Sequence, residues 1–184
     1  MIKFRPVRFF RSEFRQDIFG DGAAALGWTI LTDYTSYDLG ADITINAFDS
    51  TGPVPPPLTS GYMNVSLTQN GEVTFYNPAG WGDANAVEFY LAGDIRNLVV
   101  APRSVGRSTV NYFLSVHNNW APICEDVQSD DPYGQPPFTT FHRCVMDLAQ
   151  FDALPASQWD SLAIRHSGIE VNSTFFIDKV SLGY

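Results

Sequence analysis

Long apolar runs are missing from this chain: it has no stretch of about 18 consecutive apolar residues, so nothing in it reads as a membrane-spanning helix. Basic charge is scarce. Eleven Lys and Arg stand against 20 Asp and Glu, a formal net charge of −9 at pH 7, and binding to a phosphate backbone needs clustered cations, so nucleic acid is excluded as a partner. Cysteine is nearly absent, with two residues, no CxxC pair and no His–Cys ligand spacing, which argues against a zinc site. No GxSxG, HExxH, phosphate-loop or dinucleotide motif occurs. Glu72, Glu88, Glu125 and Glu170 show no paired spacing of the kind that glycosidase chemistry requires. The N-terminus lacks the apolar stretch and cleavage site of a signal peptide, which leaves a mature form, a fragment or another export route as alternatives.

What the 184 residues do contain is aromatic side chains, at 14%, with 45% hydrophobic and 17% charged residues. That balance favours short aromatic-rich strands joined by Gly, Pro, Asn and Ser loops. Period-two alternation supports it: in residues 41–48 the apolar Ile43, Ile45 and Ala47 alternate with Asp42, Thr44 and Asn46. Further strands are expected at 63–67, 73–76, 86–91, 97–100, 109–117, 161–166 and 174–182. Gln69-Asn70-Gly71 predicts a tight hairpin between the runs 63–67 and 73–76, because Asn-Gly supplies positive φ angles. Single helical turns are expected at 145–151 and 155–160. Short strands recurring every dozen or so residues predict an all-β sandwich of jelly-roll type. One domain is expected over residues 16–184, preceded by a basic arm or edge strand at 1–15.

Lys3, Arg5, Arg8, Arg11 and Arg15 supply five of the 11 basic residues and make the arm a candidate tether to the acidic remainder of a neighbouring copy. Cys124 and Cys144 flank a loop rich in Asp, Pro and Gly, where a disulfide would restrain a long excursion between strands; two buried free thiols are the alternative.

Both ends resemble one family. Asp17-Ile18-Phe19-Gly20, followed by Leu26-Gly27-Trp28-Thr29-Ile30, is similar to the opening of galactose-binding-like jelly rolls, including many carbohydrate-binding modules. Phe175-Phe176-Ile177-Asp178-Lys179-Val180-Ser181-Leu182 resembles their closing strand. The resemblance implies that the terminal strands lie side by side and that Asp178, with Asp17 or Asp21, holds a structural calcium ion, for which carboxylate oxygens are suitable donors.

A glycan site needs an aromatic platform for the apolar C–H face of a sugar, ringed by amide, carboxylate or guanidinium groups. Trp81, in the loop Asn77-Pro78-Ala79-Gly80-Trp81-Gly82-Asp83, is one candidate platform. Trp120, after Asn118 and Asn119, is another, and Tyr34 and Tyr37 lie in a polar loop. Trp28 and Trp159 read as core residues. The leading expectation is therefore a secreted or surface-exposed, noncatalytic carbohydrate-binding domain. A structural or adhesive subunit of an extracellular filament or capsid, self-assembling through the basic arm, is the alternative. A polysaccharide lyase is the third reading: Arg11-Ser12-Glu13-Phe14-Arg15 and Tyr112-Phe113 resemble motifs of jelly-roll alginate lyases, but Leu114 stands where that family has lysine.

Overall fold

The computed structural model describes residues 15–20, 22–31, 41–47, 61–67, 72–95, 98–104, 114–115, 123–124, 141–151, 159–166 and 173–184. Twelve strands occur among them: β1 (Arg15–Gly20), β2 (Ala23–Ala24), β3 (Thr29–Leu31), β4 (Ala41–Ala47), β5 (Gly61–Leu67), β6 (Glu72–Tyr76), β7 (Ala86–Gly93), β8 (Leu98–Arg103), β9 (Leu114–Ser115), β10 (His142–Asp147), β11 (Ser161–His166) and β12 (Ser173–Gly183). They form two antiparallel sheets, the all-β jelly-roll sandwich that the alternation predicted. In the first sheet β10, β7 and β12 run side by side, and the far side of β12 is shared between β5, which pairs with β4, and β1, which pairs with β2. The second sheet has the order β3-β6-β11-β8-β9.

Alternation in each strand decides what lies between the sheets. Met63, Val65, Leu67, Val87, Phe89, Leu91, Phe175, Ile177, Val180 and Leu182 of the first sheet are wholly buried, as are Val73, Phe75, Leu98, Val100, Leu162 and Ile164 of the second. Full burial of each such side chain contributes about 1.5–3 kcal/mol. Phe19 and Phe75 meet across this core with ring centroids 6.1 Å apart.

This layering corrects one expectation. The strands on either side of Asn70-Gly71 do not form a hairpin: β5 pairs with β4 and β12, whereas β6 pairs with β3 and β11 in the opposite sheet. Both strands carry an apolar stripe that gains more by facing the other across the core than by pairing edge to edge. The segment that links them, residues 68–71, lies outside the described residues.

The expected helical turn at 145–151 is half right. β10 runs on to Asp147, and a three-residue 3₁₀ turn, Leu148–Gln150, follows it, capped by Asp147 Oδ1 accepting the Ala149 N–H at 2.9 Å. Cys124 and Cys144 are joined as a disulfide. Cys124 bridges Cys144 in antiparallel fashion, and the Val145 N–H donates to the Ile123 carbonyl at 2.8 Å, so residues 123–124 cover the outer edge of β10.

Strand β12 is the longest, and its register slips between Ile177 and Val180 against β7. Asp178 and Lys179 thus stand opposite the single residue Tyr90, a β-bulge placed where β12 leaves β5 and takes up β1. At the other end of the β7 pairing, Gly93, opposite Phe175, has φ +94, and a Cβ built there would meet the Thr174 carbonyl oxygen at 2.9 Å, the Phe175 Cα at 3.0 Å and the Phe176 Cδ2 at 3.3 Å. Gly93→Ala is therefore expected to lower stability by about 2 kcal/mol or more through backbone strain and overpacking combined. Urea unfolding measures this directly; an unchanged midpoint would contradict the close approach of β7 and β12.

Candidate functional site

Trp81 is not the exposed platform that its loop sequence suggested. Its backbone N–H donates to the Trp159 carbonyl at 2.9 Å, and the Asn77 N–H donates to the Asp160 carbonyl at 2.7 Å. The Asn77 side chain accepts the Ala79 N–H, and Gly80 and Gly82 adopt positive φ angles of 76° and 56°. These bonds stitch the loop onto the segment before β11 and turn the indole into the core, where Trp81 is 1% exposed. Neither ring face is open for stacking. Trp28 and Trp159 are also buried, as expected. Trp120, Asn118, Asn119, Tyr34, Tyr37 and Asp21 lie outside the described residues, as do residues 1–14 of the arm and Tyr112-Phe113.

Each sheet has an outer face, and the two differ. On the second sheet, Glu72, Thr74, Ser161, Ala163 and Ala101 occupy outward positions of β6, β11 and β8, yet all are buried. The register explains this. Arg103 stands opposite Ser161, and Glu72 stands opposite Arg165, with β11 between them. To make its two 2.7 Å contacts with Glu72, the Arg103 side chain must run diagonally across β11 over Ala163. Small residues form the floor for its stem. Thr74 Oγ1 donates to the same carboxylate at 2.9 Å. Burial pushes the Glu72 carboxyl above its usual range, against the pull of Arg103, Thr74 and Arg165, while Arg165 is lowered by burial and by repulsion from Arg103. The protein's own charges fill this face.

The outer face of the first sheet carries aromatic rings instead. Since Met63, Val65 and Leu67 point into the core, Tyr62, Asn64 and Ser66 share the outward side of β5. Phe176 pairs with Asn64 on one side and Ala92 on the other. The Tyr62 and Phe176 rings meet edge to face with centroids 5.6 Å apart, and Phe141, just before β10, lies 6.4 Å from Tyr62. Phe176, Phe141, Asn64 and Tyr90 are half-buried, and Asn64 Oδ1 is buried beside the rings without a hydrogen-bond partner. Arg143, opposite Tyr90, donates from Nε at 2.9 Å and Nη2 at 2.6 Å to Glu88 Oε2. This face therefore presents aromatic rings, an amide, a phenol and a charge-neutral guanidinium–carboxylate pair across neighbouring strands.

The terminal motifs do lie side by side, with Asp17 opposite Ser181. Their carboxylates differ sharply in setting. Asp178 is wholly buried at the bulge, whereas Asp17 is exposed, with Lys179 Nζ 3.5 Å from its Oδ1. Among the described residues no group of three or more His, Cys, Asp and Glu is assembled to hold a metal ion.

Neither a protein-family model nor a curated protein matches the chain. Several solved structures do resemble it. A substituted variant of a family 29 carbohydrate-binding module has a TM-score of 0.54 at 8% identity, covering 92% of this chain and 91% of the module. The family 11 module of Clostridium thermocellum, solved with a β-1,3-1,4-mixed-linked tetrasaccharide, has a TM-score of 0.51 at 14% identity over 91% and 94% of the two chains. A cleaved adhesin domain of Lys-gingipain from Porphyromonas gingivalis has a TM-score of 0.51 at 12% identity over 92% and 96%. These likenesses establish the fold: a jelly-roll sandwich of the kind used by carbohydrate-binding modules and adhesin domains, not membership of the galactose-binding-like family.

The closed face of the second sheet has a signature in pH. Because burial holds the Glu72 carboxyl above its ordinary 4.5, the folded protein binds its proton more tightly than the unfolded chain does. Stability from this group is then greatest at acid pH and declines as pH rises through the folded-state value. Glu72→Gln removes that titration, so the stability of wild type relative to the variant should fall as pH rises above 4.5. Denaturant melts of both proteins from pH 4 to 8 check it; a relative gain for wild type would show that ion pairing outweighs burial.

Proposed function

We propose that this chain is a noncatalytic carbohydrate-binding domain of a secreted or cell-surface protein, and that it holds a polysaccharide against the outer face of its first sheet. The observation that supports this is the Tyr62–Phe176–Phe141 cluster. An outward position in a strand ordinarily carries a polar residue, yet Tyr62 and Phe176 place aromatic rings there with Phe141 beside them, and the half-buried Phe176 and Phe141 leave apolar ring surface in contact with water. A pyranose does so with its C–H face while its hydroxyls reach groups at the rim, here Asn64, Tyr90 and the Arg143–Glu88 pair. Two of those rings stand on paired strands, which favours a preset geometry over one that must form on binding.

In the same reading Trp120, Tyr34 and Tyr37, with Asn118 and Asn119, extend the contact from the loops. A calcium ion held by Asp178 with Asp17 or Asp21 stiffens the junction of the terminal strands. The domain performs no bond-breaking chemistry; its role is to retain a glycan for whatever the remainder of its protein does.

Affinity electrophoresis and calorimetry against soluble neutral polysaccharides, beginning with mixed-linkage β-1,3-1,4-glucan, test the proposal. Phe176→Ala is expected to weaken binding at least about tenfold, equivalent to about 1.4 kcal/mol, with the fold retained by circular dichroism. Equal binding by wild type and variant would move the site elsewhere, and no binding across neutral and acidic glycans would end the reading. Chelation should lower the melting temperature if calcium is held; no change would remove the ion from the proposal.

A further inference from the structure

Tyr62 is far more buried than its position warrants. Its outward neighbours on β5, Asn64 and Ser66, are half-exposed, yet Tyr62 is 2% exposed. Two of the rings that close over it are Phe176 and Phe141. They are held very differently. Phe176 lies within β12, paired to Asn64 and Ala92, with Gly93 directly against its ring. Phe141 lies outside the ladder, one residue before His142 and the start of β10. Its contact with Tyr62 is also the wider one, at 6.4 Å against 5.6 Å, and tilted by 60°.

We propose that Phe141 is an internal competitor for the sugar: its ring occupies the place against Tyr62 that a pyranose takes in the complex, and binding displaces it. This rests on the glycan-binding reading above and adds a specific consequence to it. A benzene ring and the C–H face of a pyranose have similar breadth, and both satisfy an aromatic surface through dispersion and desolvation. In the unliganded protein Phe141 keeps the apolar face of Tyr62 out of water. It also opposes binding, since the sugar gains the contact with Tyr62 only by breaking the one with Phe141. Phe141 can yield because its backbone is not part of a strand, whereas displacing Phe176 would disturb pairing on both of its sides. The cost is modest, as an aromatic pair contributes little beyond the area it buries, and this sets the size of the effect at about two- to tenfold in affinity.

The test is a double-mutant cycle on mixed-linkage β-1,3-1,4-glucan, with melting temperatures taken alongside. Phe141→Ala should bind about two- to tenfold more tightly than wild type. Phe141→Leu, which keeps an apolar cover, should fall between them. Adding Tyr62→Ala to Phe141→Ala should abolish the gain, because the uncovered surface is then gone. If Phe141→Ala binds more weakly, as Phe176→Ala is expected to, then Phe141 is part of the platform and the competitor role is wrong while the glycan-binding reading stands. Unchanged affinity in Phe141→Ala overturns the inference equally. If neither wild type nor Phe141→Ala binds this glucan or any of the other soluble polysaccharides, the glycan-binding reading itself fails and the competitor role falls with it.

Discussion

The first sheet depends on β12 being paired along both of its sides. On one side β7 accompanies it from Phe175 to Gly183, and on the other β5 and β1 divide its length between them. A strand shared in this way has no spare edge, and its alternating residues Phe175 and Ile177, then Val180 and Leu182 after the bulge, lie wholly within the core. The bulge at Asp178 and Lys179 is what permits the exchange of partners: the extra residue bends the strand and resets its register. Everything on the outer face inherits its spacing from this arrangement. Phe176 sits beside Asn64 and Ala92 because β12 is fixed between β5 and β7, and Tyr90 looks onto the bulge for the same reason.

The two outer faces show how one fold can treat similar surfaces in opposite ways. On the second sheet a long arginine is laid over small residues to reach a carboxylate two strands away, and the result is a closed, charge-matched face. Such a buried pair adds little net stability, since desolvation offsets its Coulomb attraction. On the first sheet the small residue is Ala92, itself buried, and rings rather than an ion pair cluster beside it, with Phe176 and Tyr90 half-buried at the surface. In the proposed complex the adjustment is confined to Phe141, which lies outside the strands.

Much of the fold was legible in the alternation of apolar and polar residues, because each strand has one face in the core. Most strand positions follow from it; the pairing of the two terminal motifs was implied by their resemblance to galactose-binding-like jelly rolls, not by the alternation. The Asn70-Gly71 turn misled because local turn chemistry says how a chain reverses but not whether the next strand pairs with the last or crosses the core. Trp81 misled for a related reason: Gly-Trp-Gly-Asp reads as an exposed loop, while its burial depends on backbone bonds to Trp159 and Asp160, more than 70 positions away in the chain. The aromatic face had a signal that went unused. Phe175 and Phe176 are adjacent in a strand and cannot both face the core, and Tyr62 falls in phase with Asn64 and Ser66 instead of Met63 and Val65. Phe141 carried no such signal, because its meeting with Tyr62 depends on the order of strands across the sheet.

Chemical-shift mapping of the labelled protein during titration with mixed-linkage β-1,3-1,4-glucan tests the central claim most directly, since it locates a site without altering any residue. The account predicts that perturbed amides cluster at residues 62–66, 90–93, 141–143 and 174–178, across neighbouring strands of the first sheet. Perturbations gathered instead on β6, β11 and β8 would place the ligand on the charged face and contradict it.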